Sequence, residues 1–481
     1  MTEEADQHQT HRIAAGVRPA GSLEVLNPFD LQPIATVDTV DGQGVEQAIA
    51  VADACYRQRD GWLPDFERMA ILRRAAELMA TQIEDLALLI AREGGKPLND
   101  ARVEAERAVD GLRCCAELPR HSGGREVPMQ ATAAGAGRWA FSTHEPIGPV
   151  VAISAFNHPL NLIVHQLAPA VAAGCPVIVK PAEDTPLSCL RFIDLLREAG
   201  LPPAWAQALV TDSPMTAEAL ATDPRVAFLS FIGSARVGWH LRSRLAPGAR
   251  CALEHGGVAP VLVDRGVDLQ QVVPLLAKGG LYHAGQVCVS VQRVYVHQDQ
   301  ALGLAQALAE TAAEMRVDDP TLAETAIGPL IRPAEVERVD QWVREAIGQG
   351  ATLLCGGEPL SRTCYAPTVL FDPPATAKVS TQELFGPVIC VYPYVEVDAA
   401  IEAANALPFA FQAAVFTREL AFARHAASRL AASAVMINDH TAFRTDWMPF
   451  AGLRQSGLGT GGMPYTFEDM RTEKLVVWRT D

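Results

Sequence analysis

Positive charge is in short supply in this chain. Lys and Arg number 40 against 56 Asp and Glu in 481 residues, a formal net charge of −16. Nucleic acid and anionic membrane surfaces need clustered cations on the protein, so the balance argues against both as partners. A local basic pocket for a small anion remains open. Cysteine is sparse as well, at 10 residues. That is too few for a disulfide scaffold, no two are spaced Cys-x-x-Cys, and no Cys/His ladder suits zinc. Reduced thiols in a cytoplasmic protein are expected, with room for one reactive thiol among them. Residues 1–12 lack a basic stretch followed by an apolar one, so no secretory signal is expected there. No apolar run suits a bilayer: the most apolar stretch, 150–179, is cut by Asn157, His158, Asn161, His165 and Gln166. Low-complexity segments and fixed-period repeats are absent too.

What is abundant is apolar surface. Hydrophobic residues make up 49% and charged residues 20%, which suits a folded chain rather than a disordered one. At ~100–200 residues per domain, two to four units are expected.

The first forty residues carry short strand-like runs and turns. Residues 44–118 read as helical, and across 68–90 Leu72, Ala75, Met79, Ile83, Leu86 and Ile90 recur at spacings of three and four. Residues 121–147 are polar and rich in Gly and Ala, an extended excursion with hairpin character. The middle then alternates. Strands are predicted at 150–154, 176–180 and 226–231, each followed by a helix, at 160–172, 186–199 and 234–245. That alternation means βαβ units and a parallel sheet buried on both faces. Ligands of such sheets sit beyond the carboxyl ends of the strands, so candidates should follow Ser154, Val179 and Phe231. A strand near 260–263, helices over 268–282 and 300–315, and a final strand at 474–478 complete the pattern.

Those carboxyl ends carry chemistry. After the third strand, Gly233 permits a tight turn and Ser234 stands where an N-cap would. Free N–H groups at a helix start make a phosphate seat, although Gly-Ser before a helix is often only a cap. After the second strand, Lys180-Pro-Ala-Glu183 places a cation and a carboxylate where ribose hydroxyls could be held. A carboxylate there repels a 2′-phosphate and favours NAD over NADP; a surface ion pair is the plain alternative. After the first strand, Asn157 could donate an amide hydrogen bond to an oxyanion, or simply be a turn residue near Pro159. Cys288 sits between Val287 and Val289, a setting usual for an inert core thiol. Glu254, in an apolar Gly-rich setting, is a paired structural charge or a desolvated general base.

The order of these motifs is informative. Phe-Asn-x-Pro, Lys-Pro-Ala-Glu, Phe-x-Gly-Ser, Leu-Glu-x-Gly-Gly, Gly-Gln-x-Cys, Glu383-Leu-Phe-Gly-Pro387 and Phe450-Ala-Gly-x-x-x-Ser-Gly-x-Gly459 follow one another along the chain. Together they resemble the aldehyde dehydrogenase superfamily, from about residue 27 to residue 478. The likeness is to its non-acylating, NAD(P)-dependent members, nearest the lactaldehyde, semialdehyde and phosphonoaldehyde branch. It implies an α/β fold with a Rossmann-type cofactor domain, an α/β catalytic domain and a small β oligomerisation arm. Residues 1–123 and 148–252 would form the cofactor domain and 253–440 the catalytic domain. The arm would take 124–147 and 466–481, and 441–465 would return to the active site and cofactor domain. A homodimer or homotetramer is implied.

The resemblance also implies roles. Cys288 would be the nucleophile that forms a thiohemiacetal and then a thioester. Asn157 and the Cys288 N–H would hold the oxyanion, and Glu254 would activate the water that releases a carboxylic acid. NAD is the implied cofactor. Lys180 and Glu183 would hold its adenosine ribose, Gly233 and Ser234 its diphosphate, and Val237 its adenine. Glu383 would hold the nicotinamide ribose, with Phe385 beside the ring. Two departures stand out. Ala155-Phe156 replaces the commoner Pro-Trp, and His255 stands where Leu is usual, either touching the base or packed away from it.

The resemblance puts Arg107, His158, Arg444 and Phe450 around the substrate. Two Arg and a His suit an aldehyde with a carboxylate, phosphate, phosphonate or sulfonate tail, unless Glu104 or Asp446 neutralises the cations. Val287 replaces the Arg that glyceraldehyde-phosphate enzymes carry before the nucleophile. No metal is implied. The rivals are a CoA-acylating dehydrogenase, against which Glu254 argues, and a catalytically silent member, against which Cys288, Glu254 and Asn157 argue.

Overall fold

The structure is a computed structural model that describes residues 7–480. The outer ends of the expected first and last segments, residues 1–6 and 481, lie outside the described residues.

Five parallel strands lie in the spatial order Arg250–Glu254, Phe228–Ile232, Val150–Ile153, Val177–Lys180, Ala206–Ala208. Gly457–Leu458 joins them antiparallel, beside Arg250–Glu254. Alternate residues face different cores: Val150, Ala152, Val177 and Val179 one way, Val151, Ile153 and Ile178 the other. Both faces are therefore covered, as a parallel sheet requires. The chain enters at Val150–Ile153, builds outward on one side, then returns to build on the other. That reversal opens a crevice beyond the carboxyl ends.

A second sheet has seven strands, in the order Thr352–Cys355, Thr368–Phe371, Val388–Tyr394, Val291–His297, Ala259–Val263, Gln412–Phe416, Ala434–Ile437. All its neighbours pair parallel except Thr352–Cys355 with Thr368–Phe371. Its core is separate from the first. The strand ending at Glu254 belongs to the first sheet, two residues past the boundary expected at 252.

The helical stretch expected over 68–90 is two helices, Asp65–Ala80 and Ile83–Gly94. Thr81 ends the first by donating its hydroxyl to the Leu78 carbonyl at 2.8 Å. The apolar spacing runs through the break because Leu72, Met79, Leu86 and Ile90 all enter one core. This helical region also supplies two buried caps. The helices Asn161–Ala173 and Leu187–Glu198 start after Leu160 and Pro186, whose side chains cannot cap. Glu104 accepts from the N–H groups of Leu160 and Asn161, each at 3.0 Å. Glu93 accepts from those of Leu187 and Ser188 at 2.7 and 2.9 Å. Each carboxylate satisfies orphan donors and faces the positive end of a helix dipole. Glu104 is in turn paired with Lys96 in the interior.

The polar excursion folds as an antiparallel arm of Glu126–Val127, Arg138–Pro146 and Arg471–Arg479. Trp139, Leu475, Val477 and Trp478 on it are exposed. Its last strand starts at Arg471 rather than 466. Residues Met463–Asp469 form a helix instead, because Met463, Phe467 and the following Met470 are buried in the first core. Among the described residues no helix is long and apolar enough to cross a membrane, and no group of three His, Cys, Asp or Glu could hold a metal ion.

Candidate active site

A cavity of about 1470 Å³ opens where the carboxyl ends of the first sheet face the second domain. Every residue given a catalytic, cofactor or substrate role in the sequence lines it. Asn157 and His158 follow the strand Val150–Ile153, Lys180 ends Val177–Lys180, and Glu254 ends Arg250–Glu254. Cys288, Glu383 and Phe385 come from the opposite domain.

The turn before Cys288 is unusual. His283 and Ala284 take left-handed φ of 49° and 54°, and Gly285 follows at 70°. Non-glycine residues rarely adopt this region, and such strain persists only where surroundings enforce it. At Gly285 a Cβ would lie 2.1 Å from the Gly386 carbonyl oxygen, so only glycine fits. Gln286 fastens the turn: its Oε1 accepts from Ile331 N–H at 2.9 Å and its Nε2 donates to the Pro329 carbonyl at 3.2 Å. Asn157 donates Nδ2–H to the Gln286 carbonyl at 2.9 Å. That bond uses one of its two amide donors and holds the side chain beside the Cys288 turn. Burial pushes the Cys288 thiol up to about 12, the Glu383 and Glu254 carboxylates add to this, and Arg444 opposes it.

Two glycines make room for those two carboxylates. A Cβ on Gly256 would lie 1.7 Å from Glu383 Oε1, and one on Gly461 would lie 2.1 Å from Glu254 Oε1. Burial raises the Glu254 pKa, with Arg444 opposing. Burial raises Glu383 to about 8, opposed by Arg338, and its Oε1 is buried with no hydrogen-bond partner among the described residues. An orphaned buried oxygen calls for a donor from outside the chain, such as a ribose hydroxyl. Phe385 meets Phe156 edge-on, with ring centroids 5.8 Å apart.

Farther along the cavity, Lys180 pairs with Glu183 and also donates to the Pro181 carbonyl at 3.2 Å. Burial pushes the Glu183 pKa up, but Lys180 outweighs it and the net direction is down. Ser234 is the N-cap of the helix Ala235–Arg244 and makes no side-chain cap bond, which leaves the helix start free to face a ligand. Gly233 donates its N–H to the Glu254 carbonyl at 3.0 Å and sits over the Phe231 ring. His255 does not face the base. Its Nδ1 lies 3.1 Å from the Gly233 carbonyl, and its ring packs between Phe231 and Trp239.

The two arginines at the other end differ. Arg107 is paired with Asp446, Nη2 to Oδ1 at 2.7 Å and Nε to Oδ2 at 3.3 Å. Arg444 has no carboxylate within 4.0 Å among the described residues. It lies over the Phe450 ring at 3.6 Å, and its buried Nε has no hydrogen-bond partner. Phe450 meets Phe411 in turn at a tilt of 53°, with ring centroids 4.5 Å apart. His158 Nε2 is 3.3 Å from the Tyr282 hydroxyl, and burial, with Lys96 and Arg107 nearby, keeps His158 neutral. Tyr282 and His165 were not singled out as site residues in the sequence. The one sign of His165 was a polar side chain interrupting an apolar helix.

A parallel-sheet crevice holding a cysteine, a buried carboxylate and an amide donor together defines a class. The model of the aldehyde dehydrogenase family matches residues 17–476. The chain belongs to the aldehyde dehydrogenase family, a family of oxidoreductases. It is 36% identical to 3-sulfolactaldehyde dehydrogenase of Priestia megaterium over 458 residues, 95% of each chain. It is 36% identical to aspartate-semialdehyde dehydrogenase 1 of Pseudomonas canavaninivorans over 454 residues, 94% of this chain and 96% of that one. Among solved structures, aldehyde dehydrogenase 21 from Physcomitrella patens, in complex with the reaction product succinate, superposes with a TM-score of 0.93. That match is 32% identical and covers 98% of this chain and 99% of the other.

Proposed function

We propose that this chain oxidises a small aldehyde with an anionic tail to the carboxylic acid, using NAD and a covalent intermediate on Cys288. The observation that carries the reading is the Arg444 guanidinium, free of any carboxylate and facing the same cavity as Cys288. A buried cation without a carboxylate in contact is costly, and a substrate anion supplies that charge. The similar proteins agree with this, since their names speak of sulfolactaldehyde, aspartate semialdehyde and succinate.

In the mechanism, the Cys288 thiol gives its proton to water and the thiolate sulfur adds to the aldehyde carbon. The negative charge moves to the former carbonyl oxygen, which accepts hydrogen bonds from the free Asn157 amide N–H and the Cys288 backbone N–H. A nicotinamide held here would supply the chemistry the chain lacks, acceptance of a hydride. Glu254, raised by burial, then takes a proton from water as its oxygen attacks the thioester, and the acid departs from the Cys288 sulfur. The orphaned Glu383 oxygen, the Lys180–Glu183 pair and the free helix start at Ser234 would hold the cofactor. Glu183 favours NAD, because a carboxylate repels a 2′-phosphate. The cofactor domain, catalytic domain and arm would follow the two cores and the three-stranded arm. The exposed Trp139, Leu475 and Trp478 suit a homodimer or homotetramer joined through that arm, and ten free thiols suit a reducing cytoplasm.

A substrate panel tests the reading: succinic semialdehyde and sulfoacetaldehyde against acetaldehyde and hexanal. The highest kcat/KM should fall on an anionic member. Hexanal at the top would show that Arg444 does not select the substrate. For the cofactor, Glu183→Gln should gain activity with NADP, and no gain would remove the argument for NAD.

A further inference from the structure

Charge at the substrate end of the cavity is divided unevenly. Asp446 spends both carboxylate oxygens on Arg107. Its Oδ1 also lies 2.7 Å from His165 Nε2 and 3.1 Å from Asn161 Nδ2. Arg444 reaches this cluster only through His165, Nη2 to Nδ1 at 3.4 Å. Burial holds His165 down at about 4, so it is neutral in working conditions, as is His158. Asp100 and Lys278 also line the cavity, and burial raises Asp100 to about 6 against the pull of Lys96 and then Lys278. Arg107 is thus matched by Asp446, whereas Arg444 has no carboxylate in contact and feels Glu254 only from farther off.

We propose that Asp446 sets the anion capacity of this pocket at one charge, so that the enzyme takes monoanionic tails, carboxylate or sulfonate, and discriminates against dianionic phosphonate or phosphate tails of the same shape. The proposal rests on the reading of Arg444 as the anion receptor. A second negative charge would find Arg107 already committed. It would also feel Glu254, whose charge already acts on Arg444. Asp446 does not touch the substrate in this arrangement. It is a positioning residue that consumes the charge of Arg107 and orients Arg444 through His165.

Sulfoacetaldehyde and phosphonoacetaldehyde form a matched pair of nearly equal shape, and at about pH 8.5 they carry one and two negative charges. The enzyme should prefer the sulfonate in kcat/KM by on the order of 10-fold or more, since an unmatched buried charge is costly. Asp446→Asn releases Arg107 as a second cation without a carboxylate in contact, so the preference should shift toward the phosphonate by on the order of 10-fold. Should Asp446→Asn fail to fold, Arg107→Gln leaves Asp446 uncompensated. Both anions should then lose kcat/KM by a larger factor than propanal does. A merely structural role for Asp446 would lower all three substrates together and leave the ratio unchanged, which overturns the proposal. Equal use of both anions by the unaltered enzyme overturns it as well. A preference for propanal over both anions would instead overturn the anion-receptor reading beneath it.

Discussion

Glu254 keeps its position because Gly461 has no side chain: a Cβ at residue 461 would lie 2.1 Å from Glu254 Oε1. The proposed base therefore depends on a glycine 207 positions away in the chain, just past the strand Gly457–Leu458 that pairs with the strand ending at Glu254. Gly461→Ala should push the carboxylate off its line to the thioester. The first turnover of NADH should survive, because it needs only Cys288 and Asn157. Steady-state turnover should fall by on the order of 10²-fold, the usual cost of a misplaced catalytic group. Stopped-flow NADH absorbance separates the two phases, and equal loss of both would remove Glu254 from deacylation.

Alkylation of Cys288 gives a substrate-free measure of Arg444. Iodoacetate carries a carboxylate and iodoacetamide does not, while their reactive carbons are alike. With Arg444 intact the anionic reagent should be favoured, and Arg444→Met should lower the iodoacetate-to-iodoacetamide rate ratio by roughly 10-fold, the scale of one charge-assisted hydrogen bond. Peptide mass spectrometry at Cys288 reads both rates.

The Cys288 thiol is held up by burial first and by Glu383 next. Glu383 itself is raised to about 8. Its field is thus present above that pH and absent once it is protonated. Glu383→Gln should accelerate iodoacetamide alkylation of Cys288 several-fold at about pH 9 and change it little at about pH 6.5. Equal acceleration at both would mean the variant acts by opening the site.

Much of this site was legible in the sequence, and the limits are physical. Asn157, Lys180, Glu254 and the Gly233-Ser234 turn each stand at the carboxyl end of an apolar strand, and strand–helix alternation brings such ends to one crevice. Arg107 and Arg444 were equally legible as cations. Which of them is free was not, because the answer lies in an Arg107–Asp446 pair whose members are 339 positions apart. Whether His255 touches the base or packs away from it is not legible in the sequence. Its contact with the Gly233 carbonyl depends on the pairing of two neighbouring strands, which adjacency to Glu254 in the chain does not reveal. The helix break at Thr81 was hidden because both helices bury the same apolar spacing.

Glu93 links the fold to pH. Burial raises it from 4.5 to about 7, against the pull of its bonds to Ser188 and Leu187. Between those values the folded chain keeps a proton that the unfolded chain has lost, so this group's contribution to stability falls as pH rises through that window. Glu93→Gln cannot titrate. The Tm of the variant relative to the unaltered chain should therefore improve from about pH 5 to about pH 7.5. A constant difference would mean that Glu93 stays ionised throughout and acts only as a cap.

The free guanidinium of Arg444 is the centre of the functional reading, and one comparison reaches it most directly. Succinic semialdehyde and pentanal differ mainly in the charge of the tail, and kcat/KM for each is measured with the unaltered chain and with Arg444→Met. The semialdehyde should lose on the order of 10–100-fold, the value of a hydrogen bond to a charged group, while pentanal is unchanged or improved. Equal losses for both aldehydes would contradict an anion receptor at Arg444.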